Sequence, residues 1–348
     1  MKISRNVFLA HTEYHLMQSL NIAFNNYSSQ ENQNTVYFVK NNTRLSNFSV
    51  DDTRTYGNVD LIILEDSTSK EYVEKILSLN VHRFIFFQAI SIFNIYLCHL
   101  LKKRGAEISL GPDGYVSYVI YKKKHEFLSM LKDSFSNYKK LFREGLFLRK
   151  FYKIRYYRYG SYSFIDNLWL SHPEQYTHTT SNKVNLLKLP TFTKETIKTL
   201  EKIFHFQFDM ETQNVIYYFN QPFWTEKLID REMRFLKDTL EAFKDNMMFI
   251  KLHPLTPQTT IDLYKEFPRV SIISSKAPAE LILVKLKNCI VFSGWSTVLL
   301  TENKKCNYYF NYPIYKNCDA KAIDQSNFID LDHINIITSP GQMQFPNE

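Results

Sequence analysis

The chain has 348 residues, of which 44% are apolar and 22% charged, and it carries a net charge of +8. That length suits two hydrophobic cores, and that composition excludes a disordered chain. No apolar run approaches the ~20 residues a membrane-spanning helix needs, and the net positive charge favours anionic partners.

The opening, Met1 to Ala10, is basic at its start but has almost no apolar core, so it reads as a first strand and not as a signal peptide. The expected location is cytoplasmic. Cys98, Cys289, Cys306 and Cys318 are far apart and form no CxxC pair, which gives no hint of a zinc knuckle or a dithiol redox motif. Cys98 and Cys289 fall in apolar segments and read as buried free thiols.

In chain order, Val7 to Ala10, Thr35 to Val39, Val59 to Leu64, Arg83 to Phe87 and Ala106 to Leu110 read as strands. Helices are expected over His15 to Asn25, Lys70 to Leu79 and Ile90 to Lys103, the last stopped by Gly105. Alternation of this kind predicts a parallel sheet covered by helices. Between Lys122 and Arg158, twelve Lys/Arg stand against three acids, with Phe135, Leu141, Phe142 and Phe147 interleaved, which predicts a basic amphipathic helical region. Ile165 to Leu170 is a further strand, and the mixed, polar stretch 176–212 is expected to be the linker.

A second alternating series follows. Asn214 to Phe219, Met247 to Leu252, Val270 to Ile273, Cys289 to Phe292 and Tyr308 to Phe310 read as strands, the last of them closing the fold. Glu226 to Phe243 and Ala279 to Leu286 read as helices, and Val298 to Thr301 as the opening of another. The expected domains are 1–190 and 191–348. In open α/β sheets, ligands bind beyond the carboxyl ends of the strands, and the residues that could carry chemistry fall at such ends.

In Ser293-Gly294-Trp295-Ser296-Thr297, a buried strand runs into small hydroxyl residues and a helix start, where free N–H groups and hydroxyls can hold a phosphate. Plain N-capping by Ser296 or Thr297 is the commoner reading of such a segment. Lys251-Leu252-His253-Pro254 ends a strand with a histidine that can stand beside a phosphate and donate a proton to a leaving oxygen, although a surface histidine before a turn fits the same residues. Gly111-Pro112-Asp113-Gly114 puts a carboxylate at a strand end, where it can take a proton from a sugar hydroxyl; an ordinary Pro-Asp-Gly turn fits it as well. Glu280 follows Pro278-Ala279 at a helix start, suited to ribose hydroxyls or simply to a first-turn charge. Asn220-Gln221-Pro222 is a polar turn in the same set, and Gln221 is kept as a donor-binding candidate.

Together, the acidic-Gly, His-Pro and Ser-Thr segments resemble the signature of bacterial GT-B sialyltransferases, the group of lipooligosaccharide sialyltransferases and capsule polysialyltransferases. Phe249 to Pro254, Ile165-Asp166 leading to Pro173-Glu174, and the spacing from His253 to Glu280 and Ser296-Thr297 carry the likeness to the polysialyltransferases. The resemblance implies an α/β fold of the GT-B type, two Rossmann-like domains facing each other across a cleft, the first binding acceptor and the second the nucleotide sugar. It implies an inverting, metal-independent transfer of sialic acid from CMP-sialic acid (CMP-Neu5Ac) to a galactose-type hydroxyl of a bacterial surface glycan: an O-antigen, a lipooligosaccharide or a capsule. No cofactor beyond the donor substrate is implied.

By position, Asp113 would be the general base and His253 the general acid. Ser296 and Thr297 would hold the CMP phosphate, Glu280 would contact the ribose, and Lys251 and Pro254 would lie near the cytosine. Pro112 departs from the family pattern, which often has two acids before the glycine. By the same match, His172 of the second His-Pro pair is not catalytic, and Asp330-Leu331-Asp332 reads as surface charge and not as a metal site.

The acceptor is expected to be lipid-linked, and Lys122 to Arg158 could rest on anionic membrane at the inner face of the cytoplasmic membrane. A GT-B enzyme using CMP-Kdo or a UDP-hexose is the nearest alternative. A basic nucleic-acid-binding protein is a remote one, since no nucleic-acid motif occurs and no nucleic-acid partner is expected; an inactive glycan-binding protein is another.

Overall fold

The computed structural model describes residues 3–40, 54–65, 69–89, 91–118, 127–149, 159–176, 184–206, 212–275, 277–315, 318 and 331–346. The chain divides into two units, Met1–Ile203 and Phe204–Glu348.

The first unit runs β1 (Ser4–Ala10), α1 (Glu13–Asn26), β2 (Asn32–Lys40), β3 (Arg54–Tyr56), β4 (Val59–Glu65), α2 (Ser69–Leu77), β5 (Arg83–Phe86), α3 (Ile92–Lys103), β6 (Glu107–Leu110), α4 (Phe127–Arg143), β7 (Asn167–Leu170), β8 (Asn185–Lys188) and α5 (Lys194–Ile203). Its sheet has the order β3-β4-β2-β1-β5-β6-β7-β8. Every pairing is parallel except β3 with β4. Val7, Phe8, Leu9 and Ala10 of the central strand are fully buried. A strand covered on both faces needs a continuous apolar run and not an alternating one, which is why this segment shows no period of two. Helix α1 packs on β1, β2 and β4 beside α5, while α3 packs on β5 and β6 and against α2 and α4.

The second unit runs β9 (Ile216–Phe219), α6 (Glu226–Ala242), β10 (Met248–Lys251), α7 (Gln258–Lys265), β11 (Val270–Ile273), α8 (Ala279–Leu283), β12 (Cys289–Ser293), β13 (Cys306–Phe310) and β14 (Ile334–Ile336). Its sheet, β11-β10-β9-β12-β13-β14, is wholly parallel. This is the strand order of a dinucleotide-binding fold, reversing direction between β9 and β12. Ile216, Tyr218, Met248, Ile250, Ile290 and Phe292 of the sheet pack with Phe235, Leu236 and Leu240 of α6 and Tyr264 of α7.

Four expectations change. The stretch 176–212 is not a linker throughout, because it supplies β8 and α5 to the first unit. Strand β8 is almost fully exposed, so it lacks an apolar signature, but it pairs with β7 residue by residue from Asn167–Asn185 to Leu170–Lys188. Helix α5 is tied to α1 through Asn25 Nδ2, which donates to Thr196 Oγ1. The chain accordingly divides after α5, between Ile203 and Phe204, and not at 190/191. Tyr308 to Phe310 is not the last strand, since β14 extends the sheet beyond β13. Finally, Val298 to Thr301 does not open a full helix: a single 3-10 turn, Thr297–Leu300, occupies that place. Cys98 and Cys289 are buried free thiols, as expected, and Cys306 is a third.

Candidate active site

Register sets the strand ends level. In the second unit Phe219 pairs with Lys251 on one side and with Ser293 on the other. The segments Asn220-Gln221, Leu252-His253-Pro254 and Gly294 to Thr297 therefore leave the sheet together, at the point where strand order reverses.

Asn220 ties them. Its side chain is 3% exposed. Its Oδ1 accepts from the His253 backbone N–H at 2.7 Å and from Thr256 Oγ1 at 2.7 Å. Its Nδ2 donates to Tyr264 Oη at 2.9 Å and to the Gln221 carbonyl at 2.8 Å. The His-Pro loop is thus fixed from behind by a buried amide whose donors and acceptor are all used.

His253 Nδ1 accepts the Leu255 N–H at 3.1 Å. The lone pair must then lie on Nδ1, which assigns the ring hydrogen to Nε2. Burial, and then the nearby Lys251 charge, lower its pKa from the ordinary histidine value. Lys251 is itself buried and donates from Nζ to the Ser275 carbonyl at 2.5 Å. Its ammonium is directed to the segment before α8, whose first turn carries Glu280. Glu280 is 4% exposed, and burial, offset by its own backbone N–H and by Lys251, pushes its carboxyl up to about 7. Pro254 is exposed.

At the end of β12, Ser293 Oγ donates to the Phe219 carbonyl at 2.6 Å and accepts the Ser296 N–H at 3.2 Å. Ser296 caps the 3-10 turn, its Oγ accepting the Val298 N–H at 3.4 Å. The capping role weighed from the sequence is thus present, and one short turn has no helix dipole of consequence. Ser296 and Thr297 are half-buried. A Cβ on Gly294 would lie 3.4 Å from Gln221 Cγ, so Gln221 adjoins this segment.

Asp113 belongs to the first unit, where Leu9 pairs with Phe86 and Phe86 with Leu110. The turns after β1, β5 and β6 again begin level. A Cβ on Gly111 would fall 2.2 Å from Phe87 Cε1, so only glycine lets the ring sit under this turn. Gly114 has φ +62°, a left-handed geometry that glycine adopts without strain. The Asp113 N–H donates to Ser117 Oγ at 2.9 Å.

The first unit also holds two histidines that the sequence reading passed over. Thr12 caps α1 by accepting the His15 N–H at 3.2 Å, and His15 Nε2 lies 3.3 Å from Asp113 Oδ1. His11 is buried, and burial, followed by the neighbouring His15 ring, lowers its pKa to about 3. Both follow the end of β1, so the strand-end rule that picked out Asp113 and His253 would have found them. His172 pairs with Glu174 at 3.2 Å, and Asp330 lies outside the described residues. Among the described residues, no three His, Cys, Asp or Glu side chains converge as a metal site.

A family model for the alpha-2,8-polysialyltransferases matches residues 6–309, most of both units. The chain belongs to the alpha-2,8-polysialyltransferase family. It is accordingly a glycosyltransferase, and a sialyltransferase. Two solved structures support the fold of this polysialyltransferase-family chain. A sialyltransferase from Photobacterium damsela superposes with a TM-score of 0.53 at 14% identity, covering 96% of this chain and 81% of that one. The GT-B domain of a sialyltransferase from Photobacterium damselae gives 0.51 at 15% identity, covering 96% and 100%. The fold is GT-B. Curated protein sequences give no significant match.

Proposed function

We propose that the chain transfers sialic acid from CMP-sialic acid to a glycan hydroxyl by a single, inverting displacement that needs no metal. The observation that carries this reading is His253, whose Nδ1 is occupied by the Leu255 N–H so that Nε2 carries the hydrogen at the switch point of a sheet with the dinucleotide-binding strand order. In the reaction the acceptor oxygen bonds to the anomeric carbon as the bond to the CMP phosphate breaks. Asp113 takes the acceptor proton. His253 Nε2–H hydrogen-bonds or protonates the departing phosphate oxygen, and CMP leaves. Backbone N–H groups and the Ser296 and Thr297 hydroxyls would hold the phosphate; Glu280, Lys251, Pro254 and Gln221 would surround the nucleoside.

The family favours an α-2,8-linked sialic acid as acceptor over the galactose-type hydroxyl expected from sequence; a capsule, lipooligosaccharide or O-antigen is the setting the proposal gives it. Titration calorimetry with CMP, UDP and GDP without added metal tests the donor. CMP binding that is lost in S296A/T297A, with turnover of CMP-sialic acid unaffected by EDTA, is expected. Preferential UDP binding would move the donor to a UDP-hexose, and binding of CMP with transfer only from CMP-Kdo would move it to that sugar.

The same proposal includes contact with anionic membrane. Phe135, Phe142 and Phe147 stand exposed on and after α4 among exposed Lys132, Lys139, Lys140, Arg143 and Arg149. Aromatic rings set among cations suit an anionic interface. The flanking parts, 122–126 and 150–158, lie outside the described residues, and among the described residues no helix is long and apolar enough to cross a membrane. Sedimentation with phosphatidylglycerol vesicles should be lost in F142S/F147S; equal binding to phosphatidylcholine would remove the electrostatic part of the proposal.

A further inference from the structure

We infer that His15 is a positioning residue for Asp113, holding one carboxylate oxygen so that the other is presented to the acceptor hydroxyl. This rests on the role proposed above for Asp113.

The pair has a fixed inside and outside. The His15 side chain is 1% exposed and the Asp113 side chain 40%. The imidazole stands behind the carboxylate, the reverse of a serine-hydrolase triad, where the imidazole faces the substrate. Only Asp113 is placed to meet a ligand, so His15 acts through it.

Two backbone contacts and one ring contact hold His15. Thr12 Oγ1 accepts the His15 backbone N–H, and the His15 carbonyl accepts from Ser19 Oγ at 2.7 Å. The ring stacks on Phe87, centroids 5.0 Å apart and planes 15° from parallel. Phe87 is in turn the ring that excludes a Cβ from Gly111, two residues before Asp113. One aromatic ring therefore seats both the histidine and the turn that carries the carboxylate.

The tautomer follows from burial. His15 Nδ1 is buried without a hydrogen-bond partner. An orphaned N–H there would cost more than an orphaned lone pair, so the hydrogen lies on Nε2, pointing at Asp113 Oδ1. Around the pair, Tyr14 meets the His15 ring edge-on and His11 lies behind it against Tyr72.

The substitutions separate reach from mere polarity. Gln places an amide N–H near the position of Nε2, whereas Asn falls short. With CMP-sialic acid as donor and a fluorophore-tagged sialyl-lactoside as acceptor, H15N should lower kcat about tenfold with the donor KM unchanged. H15Q should recover most of that loss. Wild-type kcat in H15N, or equal impairment of H15N and H15Q, overturns the inference. A measurement that needs no His15 variant is the nitrogen-15 spectrum of histidine-labelled protein. It should show His15 with hydrogen on Nε2 and a resonance that shifts in D113A; hydrogen on Nδ1 overturns the inference. The two readings fail separately. An active D113A defeats the role of Asp113, while an inactive D113A beside a fully active H15N defeats only the role of His15.

Discussion

The two strand-end clusters share a topology and differ in chemistry. In the first unit the turns after β1, β5 and β6 bring together His11, His15 and Phe87, all buried, with the Asp113 carboxylate facing outward. In the second, the turns after β9, β10 and β12 bring together amide, hydroxyl and imidazole groups around Asn220, with the Lys251 ammonium close by. The first is a buried seat for one outward carboxylate, the second a polar frame of interlocked donors and acceptors. A parallel sheet determines where a ligand meets the chain; the side chains at its ends determine whether that place takes protons or holds anions.

Removing the central group of each cluster is the most severe test of that contrast. Asp113→Asn and His253→Ala should each lower kcat by about 10² to 10⁴-fold, the span general acid–base groups contribute, with circular dichroism unchanged. The contrast sharpens if D113N leaves CMP affinity intact. It breaks if calorimetry shows the two variants losing CMP equally.

Smaller changes should follow from the supporting residues. Asn220→Ala leaves the His253 N–H, Thr256 and Tyr264 without their buried partner, which should cost about 1 to 3 kcal/mol in denaturant unfolding, and lower kcat together with CMP affinity. Gly111→Ala forces Phe87 aside, with an overpacking penalty of about 1 to 3 kcal/mol. Its kinetic effect should fall on the acceptor KM and on kcat, while CMP affinity stays at the wild-type value. If the acceptor KM of G111A were unchanged and its CMP affinity lost, Phe87 would have no part in the arrangement described for the first unit.

The fold was legible where burial writes itself into composition. Strands β6, β9, β10 and β12 are almost wholly buried and read as apolar runs, so the carboxyl ends that carry Asp113, Asn220, His253 and Ser293 could be located from sequence. Strand β8 and the short edge strands β3 and β14 were illegible, because each is a short edge strand held by pairing with one neighbour and not by burial of its own apolar residues. Helix α7, Gln258–Lys265, is eight residues with two buried side chains, too little for a period to emerge. His15 lies where the strand-end rule applies, but nothing else in the sequence marks it. Its partner is 98 residues away, and a histidine in the first turn of a helix looks like any other polar residue there. Glu280, read from sequence as a ribose contact, lies almost fully buried; a ligand can reach it only if that burial is relieved.

A further test concerns a buried carboxyl packed behind the second cluster. Glu232 of α6 is buried and accepts a hydrogen bond from the Tyr218 hydroxyl. Burial, only partly offset by hydrogen bonds from Tyr218, Tyr264 and Asn220, raises its pKa from 4.5 to about 8. The sign follows from proton counts. Below pH 4.5 the carboxyl is protonated whether the chain is folded or not, and it contributes no pH dependence. Between 4.5 and 8 the unfolded chain releases the proton while the folded chain keeps it, so stability falls as pH rises across that window, by an amount on the order of a few kcal/mol. Glu232→Gln keeps the shape of the neutral acid and removes the ionisation. Its thermal midpoint should therefore lose less than the wild type's between pH 5 and pH 8, with the two proteins closest at pH 5. Parallel curves would mean that Glu232 is ionised in the folded protein, and that the polar frame behind His253 holds a buried negative charge instead of a neutral one.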